Sequence, residues 1–257
     1  MSNPQRALSI AHMIARQAAA ADLAGRPLYI VQPPRGWARV TVGLSAPDLC
    51  DVFRPQLVAS GQWRGEGIAV LVDAVAMFER TIDPFVAERL TVGIALHELA
   101  HELDREDDDQ EPDQGPQLSL PCRPMASVEP DQLSQLWQTV AASEDQDRAG
   151  QPIAPAFWSH GESFTRICCH LWYRAVHLAG YRLSPRCLAF ANAYLSLEAL
   201  ASPEEYVATL ADECKRHAGR PLTELADIEP PAEFSEQWDR DVERVFSAGE
   251  AARLAVA

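Results

Sequence analysis

The sequence predicts an α+β fold in which a small sheet packs on one central helix and the C-terminal half is largely helical. Three observations carry this. Short β-prone pieces occur only before residue 75, a long apolar helix follows at about Pro84 to Leu103, and beyond Pro155 every periodic segment reads as helix.

Composition bounds the rest. A chain of 257 residues with 47% hydrophobic content can build a sizeable core, and 23% charged residues is ordinary for a globular protein. The net charge of −15 repels phosphate backbones, which argues against sequence-independent nucleic-acid binding. No apolar run long enough for a signal peptide or a membrane span is present. The cysteines Cys50, Cys122, Cys168, Cys169, Cys187 and Cys214 form no C-x-x-C pair. Together these features predict a cytoplasmic setting with buried thiols and no membrane partner.

The elements follow in order. Pro4 to Leu23 is rich in good helix formers and stops at Gly25-Arg26-Pro27. Leu28 to Val31 and Ala38 to Val42 read as short strands separated by Pro33-Pro34-Arg35-Gly36. A helix opens at Ala46-Pro47-Asp48 and runs to about Ser60-Gly61, and Gly67 to Asp73 is a short apolar strand. The central helix starts with Asp83 as N-cap and Pro84 at its first position. From about 105 to 155 the chain is acidic and proline-rich, with Asp107-Asp108-Asp109 near its start; it is expected to be an insertion, with one short helix near Pro130 to Ala142. Helices are then expected over Gly161 to Ala179, Ser184 to Leu200, Pro203 to Ala218 and Ala232 to about Leu254. The whole of 1–257 is expected to form a single domain.

The chemistry is carried by His97-Glu98-Leu99-Ala100-His101, an H-E-x-x-H motif inside the central helix. Residues four apart share one helix face, with Cβ atoms roughly 6 Å apart. Two imidazoles so placed can each bring a nitrogen to about 2.0–2.1 Å from one Zn²⁺ ion. Glu98 is then placed to act as a general base on a water at the metal. Val92, Leu96, Leu99 and Leu103 form a core-facing stripe, and Leu90, Ile94, His97, His101 and Asp104 lie on a neighbouring one. Two histidines on a helix so apolar need partners, and a shared metal supplies one for both. A satisfied structural pair is the bland alternative.

The segment Gly93 to Asp104, GIALHELAHELD, resembles the active-site helix of zincin metallopeptidases. The resemblance implies His97 and His101 as zinc ligands, Glu98 as general base, and a zincin-like fold. A catalytic zinc needs a third protein ligand. Four candidates stand in the sequence. His160 ranks first, because His160-Gly161-Glu162-Ser163-Phe164 resembles the H-G-x-x-F/W segment of SprT-like metallopeptidases, where the His completes a three-histidine site. Glu162 ranks second, in a gluzincin-like arrangement. Asp107 is third, at H-E-x-x-H-x-x-G-x-x-D spacing but with Asp104 at the turn position that favours Gly. His170 is fourth; it falls off the apolar stripe of its helix and reads as a surface or second-shell residue.

Other features have weaker readings. Ile68 to Val72 is either a cleft-bordering strand that pairs with an extended peptide or an ordinary core strand. Asp104 either orients a ligand imidazole or is solvated at a helix end. Cys168 and Cys169 diverge by about 100° on a helix and read as buried thiols. Arg166, Tyr173 and Arg174 are candidate oxyanion stabilisers with nothing to choose among them. The expectation is a zinc-dependent metallohydrolase acting on a peptide or protein substrate. Its rivals are a zinc-stabilised binding module without turnover and, more remotely, a di-iron carboxylate protein, which needs two E-x-x-H helices where only Glu98-x-x-His101 is found.

Overall fold

The structure, a computed structural model, describes residues 2–33, 43–45, 57–104, 161–187, 203–241 and 243. The expected strand at Ala38 to Val42, most of the helix expected after Ala46, the insertion, Asp107 and His160 lie outside the described residues, as do 188–200 and the chain beyond 243.

The described chain is mixed α+β and mostly helical. Helix α1 (Pro4–Ala18) begins where the Asn3 side chain accepts a hydrogen bond from the Arg6 N–H, with proline in the first turn. Its buried residues Ala7, Leu8, Ala11, Ile14, Ala15 and Ala18 recur at helical spacing. A break at Ala19 separates it from α2 (Ala20–Leu23), which ends at Ala24 in the left-handed region. Strands β1 (Leu28–Val31), β2 (Gly43–Ser45) and β3 (Ile68–Val72) form one sheet in the order β1-β3-β2. The β1–β3 pair is parallel, with Leu28 opposite Ile68, and the β2–β3 pair is antiparallel, with Ser45 opposite Val70.

Ile68–Val72 is therefore the central strand, paired on both sides, and all five of its residues are buried. The cleft-bordering reading fails and the core-strand reading holds. A continuous run of five apolar residues needs cover on both faces, which an edge strand beside a cleft does not provide.

Two helices follow. The first, α3 (Ala74–Arg80), has no counterpart among the sequence expectations; it starts where the Asp73 carboxylate accepts from the Ala76 N–H at 2.9 Å and from Gln32 Nε2 at 2.8 Å. The second, α4 (Pro84–Asp104), is the predicted central helix, with Asp83 accepting from the Phe85 N–H through its side chain and from the Ala87 N–H through its carbonyl. Every residue from Thr91 to His97 is buried. Such a helix is apolar all round because it is covered all round, by α1, α3, the sheet and helix α5 (Glu162–His177).

The C-terminal expectations hold in outline. Helix α5 matches the predicted span within two residues at each end. Of the helix expected over Ser184 to Leu200 only the first four residues are described, and there Pro185–Cys187 form a 3-10 turn. The span from Pro203 to Ala218 is split into α6 (Pro203–Thr209) and α7 (Ala211–Arg216) at the fully buried Leu210. A 3-10 turn at Leu222–Leu225 and a helix over 232–241 complete the described chain. One contiguous apolar core runs from Leu8 on α1 through the sheet and α4 to Phe234. No helix of the described residues is long and apolar enough to cross a membrane.

Candidate metal centre

The last two turns of α4 carry the motif. Helical spacing brings the His97 and His101 rings to a centroid separation of 5.0 Å with planes at 85°. His97 is buried, whereas His101 and Glu98 are half-buried. The core stripe of Val92, Leu96, Leu99 and Leu103 is wholly buried, as its spacing predicts, and the imidazoles lie on a different stripe of the helix.

Opposite them stands the first turn of α5. Phe164, fully buried, stacks on His101 at 4.3 Å with an interplanar angle of 27° and meets His97 edge-on at 4.9 Å. Ser163 Oγ donates to Asp104 Oδ1 at 2.6 Å. One turn further along α5, the Cys168 thiol is pushed well up by burial, and then by the negative charges of Asp104 and Glu98. Asp104 is thus bonded to Ser163 at the end of its helix, and together with Glu98 it helps keep the buried Cys168 thiol protonated.

Among the other candidate ligands, Glu162 sits in the first turn of α5 with Oε1 accepting from Ser235 Oγ at 2.6 Å. His160 precedes the N-cap Gly161 and, like Asp107, lies outside the described residues. His170 is not at the surface. It is fully buried, with Nε2 at 2.8 Å from Glu213 Oε1. The correction has a simple cause: a polar residue off the apolar stripe of a helix is buried when a second polar cluster packs there. Burial lowers the His170 pKa below its usual value. Burial alone would raise that of Glu213, but hydrogen bonds from His170 and Arg166 outweigh it and hold the carboxyl at about 2. Among the described residues, no group of three His, Cys, Asp or Glu side chains forms a cluster able to hold a metal ion.

The candidate oxyanion stabilisers Arg166 and Arg174 are buried and committed elsewhere. Arg166 grips Glu213 through two nitrogens at 2.8 and 2.7 Å, and donates to the carbonyls of Leu225 and Ile228. Arg174 pairs with Asp22 at 2.7 Å and donates to the carbonyls of His217 and Arg220. They anchor α5 to α7, α2 and the C-terminal turns. Cys168 and Cys169 are fully buried free thiols, as the sequence predicts.

Two features of the site escaped sequence reasoning. In the sequence Phe164 stands out only as the last residue of the H-G-x-x-F segment, which gives no sign that its ring meets both imidazoles. Gly93, one turn before His97, lets the Cys187 carbonyl close on α4: a Cβ there would stand 2.0 Å from that oxygen. An isolated glycine inside a strong helix is the signal that could have revealed it. No family model matches the chain, and no curated protein or solved structure matches it either.

Proposed function

We propose that this protein is a zinc-dependent metallohydrolase of zincin type that cleaves peptide bonds, with His97 and His101 as zinc ligands, His160 as the third, and Glu98 as general base. The observation that carries this reading is the spacing of the two imidazoles. A Zn–N bond of about 2.0–2.1 Å, extended by roughly 1.1 Å to each ring centre and opened to the tetrahedral angle, separates the centroids by about 5.2 Å. The separation in this protein is 5.0 Å. The donor chemistry and the spacing both fit two positions on one ion.

Two further points support it. The first turn of α5, which begins two residues after His160, is docked on the pair through Phe164 and on neighbouring Asp104 through Ser163. Glu162, the second-ranked ligand, has one oxygen engaged by Ser235. Held by His97, His101 and His160, a zinc ion would supply Lewis-acid chemistry at the site. Glu98 adjoins His97 on the half-buried side of α4, where it takes a proton from the attacking water and delivers it to the leaving amine.

The test compares wild type with Glu98→Gln on a pool of quenched fluorescent peptides, with zinc content measured on both. The expected result is cleavage by wild type and a loss of about 10²–10⁴-fold in the variant at equal zinc content, the usual contribution of a general base. A wild type that holds zinc and cleaves nothing would replace this reading with a zinc-stabilised binding module.

A further inference from the structure

One ring touches both imidazoles of the motif. Phe164 covers the face of His101 at 4.3 Å and abuts His97 at 4.9 Å, while the two imidazoles stand at 85° to each other. Stacking covers a ring face and not the plane in which the nitrogen lone pair or N–H lies. It also opposes rotation: turning the His101 ring by about 90° about its Cβ–Cγ bond would drive its edge into the phenyl face, where dense packing leaves no room.

The phenyl ring is itself held rigidly. Phe164 is fully buried on α5, and its neighbours Ser163, Thr165 and Arg166 are bonded to Asp104, the Gly161 carbonyl and Glu213 respectively. Metal-ligating histidines are usually oriented by a hydrogen bond from their second nitrogen. Resting on the zinc reading given above, the geometry points to Phe164 as the positioning residue of this site: it sets the planes of His97 and His101 so that one nitrogen from each converges on the same ion. It acts on the metal only through the two imidazoles and is not a catalytic residue.

The experiment has two arms on the full chain. In the metal-free wild type, the ring protons of His101 should be shifted upfield in the NMR spectrum by the phenyl ring, and Phe164→Leu should abolish that shift while leaving the amide spectrum dispersed. In the second arm, Co²⁺ titration should give a tetrahedral visible absorption spectrum in wild type, and Phe164→Leu should bind Co²⁺ about 10-fold more weakly with an altered spectrum, the scale on which orienting partners act. An unshifted His101 in wild type overturns the inference even if the variant fails to fold. Equal Co²⁺ affinity and an identical spectrum in a folded variant also overturn it, and leave the zinc reading standing. A wild type that shows the ring shift but binds no Co²⁺ overturns both.

Discussion

Ser163 Oγ donates to Asp104 Oδ1 at 2.6 Å, so the first turn of one helix is tied to the last turn of another directly beside the histidine pair. An acidic residue at the end of its own helix is unfavourable there, because that end carries the negative pole. Asp104 recovers this by lying against the N-terminal, positive end of α5. Ser163→Ala should therefore destabilise the fold by about 0.5–1.5 kcal/mol, the net value of one hydrogen bond to a charged or neutral partner near the surface. Asp104→Asn should lose less, since it keeps an acceptor and gives up only the charge. Urea unfolding followed by circular dichroism measures both.

Gly93→Ala separates two opposing effects. Alanine is the better helix former by about 1 kcal/mol. Against that, its Cβ would stand 2.0 Å from the Cys187 carbonyl oxygen and 2.6 Å from the carbonyl carbon, both backbone atoms. Overpacking of this kind costs about 1–3 kcal/mol or more, and the strand of chain that must move lies one turn from His97. The substitution should lower the unfolding midpoint despite the gain in helix propensity. A raised midpoint would show that the 3-10 turn at Pro185–Cys187 does not sit against α4.

The sequence was legible where local chemistry and burial agree. Asp83-Pro84 marks a helix start, and the helix begins there because a side-chain acceptor and a pre-set φ act on the same few residues. The five apolar residues of β3 read as a strand, but their place in the sheet did not, since strand order depends on segments distant in sequence. Ala74–Arg80 escaped notice as a helix because it follows β3 with no glycine or proline between them, and only Asp73 marks the change. The site was half legible. The i, i+4 histidines declare themselves, whereas the ring that meets them is separated by more than sixty residues and the partner of His170, Glu213, by 43. Contacts of that range leave no local pattern.

The buried cluster of Arg166, His170 and Glu213 predicts acid lability. Glu213 is held at about 2, below its ordinary value, so its contribution to stability is present above the unfolded carboxylate range and is lost as pH falls toward 2. His170, lowered by burial, acts in the same direction: the folded state resists its protonation, so stability declines as pH drops below the ordinary imidazole value. Unfolding free energies measured from pH 7 down to pH 3 should decrease throughout, and the decrease should be shallower in Glu213→Gln than in wild type. That variant should also be less stable at pH 7, by about 3–5 kcal/mol, because it leaves Arg166 buried without its charge partner. A pH profile unchanged by the substitution would contradict the assignment.

A zinc ion held by His97, His101 and His160 would show in the zinc content of the purified chain after dialysis against a weak chelator. Wild type should carry about one zinc per chain, retained in Glu98→Gln and lost in His97→Ala, His101→Ala and His160→Ala. Wild-type protein that holds no zinc, even after the metal is added back, would contradict the claim and leave His97 and His101 as a packed histidine pair beneath Phe164.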